Sequence, residues 1–490
     1  MSPAADGAES ADASLRAHIS PARANLELLL VGLGALVVSL SQSMLVPVLG
    51  DLQAAYGANA NWLLTSTLLV AAVSVPIMGR LGDMFGKRLM LLVAIGSLVL
   101  GSLVNAVSSD IGWMIVGRAI QGLSAAAIPL GVSLLATLMP RERVASSVAL
   151  ISAMLGVGGA FGLPLAGFVA EHWDYHSLFW INTVVGAVAV AGICVFVPES
   201  RQREGGRVDL LGSVLLAAGL VCLILPLEQG HDWGWGSARV LGLLAAAAAI
   251  FVVFALVELR VRNPLVDLSA LSRRPIVLTN LASICFGFAL FASFIGTASY
   301  VEAAGWTGYG FDSTLLVGGL TLLPSGLMML ICSPLAARLI TLRGAPLTLG
   351  LGAIVVAIGW ALRIVLTDSL WQVILGATIV GIGTGIGYAA MPALINAFTP
   401  GNEIAAANGL NTLFRSLGST LAAAIGTSIL ASSLVYHVVD GTVVGAAPSL
   451  TAYRWLFATC ALAAILAALL IAAVPRGSRA QAPAPASASA

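Results

Sequence analysis

The sequence predicts an all-α membrane protein that crosses the bilayer many times, and three observations lead to this class. Hydrophobic residues make up 59% of the 490 residues and charged residues only 9%, whereas roughly 25% of the residues of a soluble domain are charged. The mean hydropathy is +0.99. Apolar segments of about 20 residues, the length at which a helix crosses roughly 30 Å of hydrocarbon, follow one another along almost the whole chain.

Fourteen segments meet this length criterion, and we number them as spans one to fourteen. Their predicted limits are 26–49, 60–80, 89–108, 112–136, 144–170, 177–198, 208–227, 239–258, 275–301, 312–340, 346–366, 371–397, 404–434 and 453–474. We expect two bundles of six spans, residues 25–200 and 261–475, with two inserted spans within residues 201–260. Residues 1–24 lack the order of regions of a signal peptide and are expected to form a cytoplasmic tail. The Pro/Ala/Ser tail 476–490 is expected to be disordered.

An internal repeat supports the division into two bundles. One pattern of tryptophan, glycine and proline occurs twice, as Trp113, Gly117, Gly122 and Pro140 in the fourth span and as Trp371, Gly376, Gly381 and Pro400 in the twelfth. Parallel repeats of this kind place the binding site of a transporter near the bilayer midplane, between the two halves.

Basic residues predict the orientation of the chain. With both termini in the cytoplasm, eighteen of the 23 basic residues lie in cytoplasmic segments, whereas Arg239, Arg363 and Arg454 lie outside. Arg118 and Arg415 fall within the membrane. This bias follows the positive-inside rule and predicts a multi-pass protein of the cell membrane, plasma or inner, with cytoplasmic termini.

Several other classes are disfavoured. The net charge of +1 gives no basic footprint for nucleic acid. The five cysteines include no CxxC pair, and no histidine lies at ligand spacing, so we expect neither a metal nor a cofactor. An integral-membrane enzyme is a remote alternative, because the paired acidic motifs that it needs at the membrane face are missing from the sequence.

The residues GRLGDMFGKR, 79–88, are predicted to form a charged, glycine-broken hairpin between spans two and three. Charges in such an apolar chain must meet water or a partner helix. We expect Asp83 to face the N-terminus of span thirteen near Ile404, where the helix dipole favours a carboxylate by roughly 0.3–1 kcal/mol. There it forms a conformational latch together with Gly79, Gly86, Lys87 and Arg88. The alternative is a basic loop that only sets the topology.

This segment resembles the signature loop of the major facilitator superfamily, G-x-L-x-D-x-x-G-x-R. The matching positions are Gly79, Leu81, Asp83, Gly86 and Arg88. GRAIQGLSAAAIP, from Gly117, resembles the fourth-helix motif of the superfamily, and ANGLNTLFRSLG, from Ala407, is similar to the fourteen-span drug:proton antiporter branch. The resemblance implies export of an amphipathic small molecule (a drug, an antibiotic or a metabolite) by proton antiport and alternating access. We expect a monomer; the alternatives are a proton-independent uniporter and a lipid or metabolite flippase.

Two departures from this branch affect the expected mechanism. Span five reads GGAFGLPLAG, with Leu163 where the branch has proline and with the proline displaced to Pro164. We expect Gly162 and Pro164 to bend this helix and let it pivot between the bundles; the alternative is ordinary helix packing. Many members carry an aspartate in span one, whereas the stretch VVSLSQSMLVP of this span has Gln42 and Ser43 and no acid.

The resemblance assigns Arg118 and Gln121 in span four to proton transfer or substrate contact. A charge inside a span costs about 2.5–3.5 kcal/mol on insertion scales, so it is expected to face the interior of the bundle. The alternative is a structural arginine that bonds to backbone carbonyls of span one. Arg415 in span thirteen, with Asn411 on the same helical face, is expected either to line a cavity or to join two helices.

The cavity is expected to take its uncharged lining from spans one and nine. Span one offers Gln42 and Ser43, and span nine has Phe288, Phe291 and Phe294 at a spacing of three residues. An aromatic stripe that faces a cavity holds a large apolar ligand; the alternative for the stripe is packing.

Acidic residues are missing near the middle of every predicted span, where the charges are Arg118 and Arg415. These arginines repel a cation, which finds no carboxylate to offset its lost hydration. The preferred substrate is therefore expected to be neutral, zwitterionic or anionic. Proton coupling then runs through Asp83, through Glu27 or Glu302, or through the substrate.

The predicted topology is testable with reporter fusions. A reporter fused after Gly205 is expected to read cytoplasmic and one fused after Gly234 external, because span seven lies between them. Two reporters on the same side of the membrane would show that the limits of the inserted spans are wrong.

Overall fold

The structure is a computed structural model. It describes residues 20–200, 209–261, 272–399, 404–440 and 442–474. In this described part, fourteen helical segments are long and apolar enough to cross a membrane, which confirms the predicted all-α polytopic class. Both predicted tails, up to residue 19 and from residue 476, lie outside the described residues.

The spans are built from continuous helices or from helices joined by a short break. The helices of spans one to seven are Pro21–Ser43 with Leu45–Tyr56, Trp62–Phe85, Lys87–Val107, Ile111–Gly122 with Ala127–Leu138, Arg141–His172, His176–Phe196 and Leu210–Trp233. Those of spans eight to fourteen are Ala238–Glu258, Arg274–Glu302, Leu315–Leu320 with Leu323–Arg343, Ala345–Val365, Leu370–Phe398, Ile404–Ala431 and Leu450–Ala472.

The sequence analysis missed a β-hairpin between spans thirteen and fourteen. Its antiparallel strands are Leu434–Val439 and Thr442–Pro448. Valine-rich segments on both sides of an Asp-Gly pair are a strong hairpin signal, and Asp440 has the positive φ of 51° that such a turn requires. The hairpin packs on the segment after span nine, where the Trp306 and His437 rings stack with centroids 5.1 Å apart.

The charged hairpin predicted at 79–88 is wrong in its secondary structure. Span two continues as a helix to Phe85, and the next helix begins at Lys87. Gly86, with φ at 127°, is the residue that breaks the helix. Gly82 serves close packing instead, because a Cβ atom there would overlap the Leu130 side chain. The segment is therefore a helix–glycine–helix corner.

Two further expectations about charge need correction. Span seven was predicted to end at residue 227, but its helix passes Pro226 and runs to Trp233, so Glu228 lies within the helix. Arg363 was predicted outside the membrane, yet it lies in the span-eleven helix and is only 1% exposed. Its guanidinium packs over the rings of Trp360 and Phe457, with Cζ 4.6 and 4.4 Å from the ring centroids, which provides a cation–π contact in place of water.

Buried apolar side chains form two large cores. One core draws on spans one to six and the other on spans nine to fourteen. We refer to these two sets of spans as the first half and the second half. The inserted spans seven and eight pack through Leu216, Leu220, Ile224 and Phe254 against Ala72 of span two and Leu410 and Leu413 of span thirteen.

The repeat seen in the sequence recurs as glycine contacts at matching places in the two halves. In the first half a Cβ atom on Gly101 would overlap the carbonyl oxygen of Gly117. In the second half a Cβ atom on Gly359 would lie 3.2 Å from the carbonyl oxygen of Gly376. Small residues let helix backbones approach, and dispersion contacts then hold helices together in lipid.

A pair of substitutions in span three tests this close packing. Gly101→Ala is expected to destabilise the protein by about 1–3 kcal/mol, because the added methyl group meets backbone atoms that cannot move aside. Gly96 lies on the same helix and faces open space, so Gly96→Ala is expected to leave stability unchanged or to raise it slightly. Thermal unfolding of the purified protein measures both effects, and equal effects would contradict the assigned packing.

Candidate functional site

A cavity of about 100 Å³ lies between the two halves. Its polar lining consists of Ser39, Gln42, Ser43, Tyr388, Thr412, Arg415, Ser416, Ser419 and Thr420, and its apolar lining includes Ile224, Phe291 and Phe294. Pockets for drug-sized ligands are roughly 300–1,000 Å³. The halves must therefore move apart before a molecule of that size can enter.

Five of the candidate residues from the sequence line this cavity. They are Gln42, Ser43, Phe291, Phe294 and Arg415. Span one, which lacks the acid of its relatives, thus faces the cavity with an amide and hydroxyl groups. The Ser39 hydroxyl joins span one to span five, because it donates to the Leu155 carbonyl.

Arg415 is the arginine of the cavity wall. Its Nη2 lies 3.4 Å from the Thr412 hydroxyl, and its Cζ lies 4.8 Å from the centre of the Tyr388 ring. The side chain is only 6% exposed. Its guanidinium is thus held by a ring and a hydroxyl, while the described ion pairs place no carboxylate on it. This arrangement leaves positive charge available to a ligand.

Arg118 and Gln121 lie outside this lining. Arg118 donates from Nε to the Leu63 carbonyl at 3.0 Å and from Nη1 to the Ser41 carbonyl at 3.3 Å. Nη1 also donates to Gln121 Oε1 at 2.8 Å, and the Gln121 amide donates to the Ser102 hydroxyl at 2.7 Å. These contacts join spans one, two, three and four, so the geometry favours the structural alternative for this pair.

Two more candidates serve helix packing. The Asn411 amide donates to Asn280 Oδ1 at 2.9 Å and to the Ser283 hydroxyl at 2.8 Å, and it thereby joins spans thirteen and nine. Phe288 belongs to the core of the second half and is 6% exposed. The aromatic stripe of span nine is therefore divided, with Phe291 and Phe294 at the cavity and Phe288 in the core.

Span five forms the closest contact between the halves. Its helix continues through Pro164 without a break. On one side Gly162 lies against Ser43 of span one, and on the other side Pro164 lies against Gly319 of span ten. Gly167 also lies against the backbone of Leu315. The glycines thus allow one helix to pack on both halves at once; bending at Gly162 and Pro164 stays a prediction.

Asp83 joins the halves at one end of the molecule, which we call the Asp83 end. The amide of Ala406, in the first turn of span thirteen, donates to Asp83 Oδ2 at 3.1 Å. Lys87 Nζ lies 3.8 Å from Asp83 Oδ1, and both side chains are 1% exposed. The structure therefore places Asp83 at the helix N-terminus near Ile404, where the dipole favours its charge; the latch function itself stays a prediction.

Glu199, which the sequence analysis missed, holds the corner at Gly86. Its carboxylate accepts from the amides of Arg88 at 2.9 Å and Leu89 at 3.0 Å, the free donors at the start of span three. A Cβ atom on Gly86 would lie 2.7 Å from Glu199 Oε2. The Arg88 guanidinium donates to the Cys194 carbonyl. A carboxylate that caps a helix from another span leaves no local sequence signal.

A second acidic contact between the halves lies at the opposite end, which we call the Glu171 end. Glu171 Oε1, at the end of span five, accepts from the Leu316 amide at 3.3 Å. Leu316 is in the first turn of span ten, whose N-cap is Thr314. Both ends of the cavity are thus crossed by a carboxylate from the first half and a backbone amide from the second half.

Glu228 is an acidic residue of the span-seven helix that the sequence analysis missed, because it placed the end of the span at residue 227. The Thr420 hydroxyl of the cavity wall hydrogen-bonds to its carboxyl group. The neighbouring Gln229 amide donates to the Thr65 hydroxyl at 3.2 Å. Glu228 lies near the end of its span, so the expectation of no acid near the middle of a span still holds. A carboxyl group beside the cavity nevertheless weakens the argument against cationic substrates. Within the described residues, no cluster of three His, Cys, Asp or Glu residues could hold a metal.

A bundle of membrane helices in two repeated halves around a central cavity defines a transporter rather than an enzyme. The chain belongs to the major facilitator superfamily, whose sequence profile matches residues 31–357 and 317–490. The superfamily predicted from the sequence motifs is thereby confirmed.

Relatives with established names are resistance and export proteins. The tetracenomycin C resistance and export protein of Streptomyces glaucescens is 29% identical over 419 residues, which cover 83% of this chain and 76% of that protein. The puromycin resistance protein pur8 of Streptomyces alboniger is 31% identical over 409 residues, 79% of each chain. The crystal structure of the human organic anion transporter MFSD10 (TETRAN) shares the fold, with a TM-score of 0.66, 16% identity and coverage of 92% of this chain and 100% of that chain.

The divided aromatic stripe predicts different effects for two similar substitutions. Phe288→Ala is expected to destabilise the protein by about 3–5 kcal/mol, because it leaves a hole in the core. Phe294→Ala is expected to lower stability less but to abolish the thermal stabilisation that binding compounds give the wild type. Thermal unfolding of both variants with a panel of amphipathic compounds measures this. Retention of the full ligand-induced shift by Phe294→Ala would contradict its place in the binding site.

Proposed function

We propose that this protein exports an amphipathic small molecule (a drug, an antibiotic or a metabolite) in exchange for protons, by alternating access as a monomer. The observation that carries the proposal is the cavity between the halves with a contact at each of its ends, Asp83 with Ala406 and Glu171 with Leu316. Each contact includes a hydrogen bond from a helix N-terminus to a carboxylate, and such a bond contributes about 1.5–3 kcal/mol when one partner is charged. A contact at each end fits alternating access, because each one closes the cavity toward one side of the membrane.

The names of the relatives support the direction of transport. Tetracenomycin C and puromycin, which appear in those names, belong to the size class that a cavity between two bundles accommodates once it widens. The lining offers aromatic rings from span nine, hydroxyl groups and one guanidinium. Such a mixture suits molecules with an apolar body and a few polar groups.

We place the Asp83 end in the cytoplasm. Arg80, Lys87 and Arg88 lie there, and Arg338 and Arg343 end span ten on the same side as the start of span eleven. Under the positive-inside rule such a basic surface stays in the cytoplasm. The protein then lies in the plasma or inner membrane with both termini of the fourteen-span chain in the cytoplasm. Glu171 lies at the outer face.

In this mechanism the latch is formed by Gly79, Asp83, Gly86, Lys87 and Arg88. Asp83 holds the N-terminus of span thirteen, so it closes the cytoplasmic end and stabilises the outward-facing state. Gly86 and Glu199 fix the corner between spans two and three, so the carboxylate keeps its place on the helix end. When the contact breaks, the cavity opens toward the cytoplasm and takes up substrate.

Asp83→Asn is expected to abolish transport while the protein stays folded in the membrane. The amide side chain lacks the charge that the helix dipole attracts, and it leaves the buried Lys87 without a carboxylate at 3.8 Å. Asp110→Asn is the matched control, because Asp110 caps span four at its exposed start and asparagine caps a helix as well as aspartate does. Efflux from cells that express equal amounts of each protein measures the effect. Normal efflux by Asp83→Asn would contradict the latch.

A further inference from the structure

The carboxyl group of Glu228 lies at the border between the inserted spans and the cavity. Its Oε1 atom is shielded from solvent and has no hydrogen-bond partner among the described residues. The carboxyl group bonds to the hydroxyl of Thr420, which is 3% exposed and lines the cavity. Burial of a carboxylate oxygen without a hydrogen-bond partner is energetically unfavourable. This cost points to a functional reason for Glu228.

The backbone around Glu228 is held in place on both sides. Ile224, one turn earlier on the same helical face, lines the cavity. Gln229, the next residue, donates to Thr65 of span two at 3.2 Å. Span seven therefore contacts the first half through Gln229 and the second half through Glu228. The carboxyl group is fixed beside the cavity rather than exposed to lipid.

The charged groups on the elements packed around Glu228 are few. Span thirteen carries Arg415, which lines the same cavity as Thr420 and lies five residues before it, about 8 Å along the helix axis. Span two carries Arg80 and Asp83 at the Asp83 end, and span eight carries Arg239 and Glu258 at its two ends. Arg239 is engaged with the Trp233 ring, with Cζ 3.4 Å from its centroid. Arg415 is therefore the charge at the level of the cavity.

We propose that Glu228 is the site at which the coupling proton binds, so that an inserted span supplies the acid that span one lacks. This inference rests on the proposed proton exchange. Other embedded acids are placed less well. Glu27 pairs with Arg23, with Nε 3.1 Å from Oε1, and Glu302 packs against Gly318 at the Glu171 end. Neither of these contacts involves a residue of the cavity lining, whereas Glu228 bonds to Thr420 of that lining.

Proton binding reverses the direction of one hydrogen bond. In the charged state the Thr420 hydroxyl donates to the Glu228 carboxylate. One proton from the outer solution neutralises the carboxylate, whose O–H then donates to the Thr420 oxygen, since a hydroxyl both donates and accepts. Release of that proton to the cytoplasm restores the charge. Each cycle carries one proton inward through this carboxyl group, against the movement of substrate outward.

Neutralisation also changes the field in the cavity. The charged carboxylate partly offsets the Arg415 guanidinium, and the neutral acid does not. An anionic or polar ligand is therefore bound more tightly by the protonated state and a cationic ligand by the deprotonated state. In both cases occupancy of the cavity is linked to the proton, and this linkage is what an exchanger needs.

The test uses the full-length protein in proteoliposomes with ethidium, puromycin and fluorescein as a cation, a weak base and an anion. Two assays are run on each: uptake driven by a pH gradient, and exchange of labelled for unlabelled probe without a gradient. Glu228→Gln, which keeps an acceptor for Thr420, is expected to lose gradient-driven uptake at least tenfold. It is also expected to retain exchange that no longer depends on pH. Glu228→Asp is expected to restore coupling in part.

Asp110→Asn is the matched control, because it removes a carboxylate at the exposed start of span four, away from the cavity; it is expected to behave as the wild type. Glu302→Gln tests the other acid considered for coupling, and loss of coupling in that variant alone would overturn the assignment of Glu228. If the wild type moves none of the probes, or moves them without proton exchange, the proposed function fails. If the wild type couples and Glu228→Gln couples equally, only the inference about Glu228 fails.

A second variant decides the matter if Glu228→Gln does not accumulate in the membrane. Thr420→Val removes the hydroxyl partner and keeps the shape of the side chain. The loss of one hydrogen bond is expected to move the pH midpoint of exchange by about half a pH unit or more. An unchanged midpoint would overturn the assignment of Glu228.

Discussion

The structure depends on one constraint: a polar group inside the bilayer has no water and must find its partner within the protein. Arg118 meets this demand with the carbonyls of Leu63 and Ser41, and Asp83 meets it with the amide of Ala406. Because these partners lie on other spans, each charged residue fixes the position of one helix relative to another. These charges thus add fixed points between helices to the packing of the two apolar cores.

A second recurring feature is glycine at the positions where helices cross. Gly101 and Gly359 bring neighbouring spans together within each half, whereas Gly167 and Gly319 bring span five and span ten together across the halves. Contacts within a half are backed by two extensive cores. Those across the halves combine small residues, hydrogen bonds to helix ends and apolar clusters such as that of Leu163, Leu322 and Ala377. These clusters are smaller than the core of either half, a difference on which the proposed alternating access depends.

Much of the fold was predictable because hydrophobic length and repeat patterns are local signals. The fourteen spans followed from them, whereas the superfamily followed from the resemblance of the motif at 79–88. Gln42, Ser43, Phe291, Phe294 and Arg415 lie at the cavity. The failures share a cause. Pro226 and the polar residues after it resemble the end of a helix, and Arg363 resembles a loop residue, because composition does not reveal that their partners Thr420 and Phe457 lie on distant spans. The cap formed by Glu199 and the contact of Glu171 are likewise visible only in three dimensions. The β-hairpin differs, since its Asp-Gly turn was readable and was overlooked.

The seam between span seven and its neighbours has a consequence for motion. Leu216, Leu220 and Ile224 meet span two on one side and span thirteen on the other through apolar contact alone. Dispersion contacts have no preferred direction, so these surfaces slide past one another at little cost, whereas the bonds of Gln229 and Glu228 tie the same helix to opposite halves. In the proposed alternating access the inserted pair would act as a seal: its apolar surface keeps lipid chains out of the gap between the halves, while Gln229 and Glu228 hold one end of span seven to both halves.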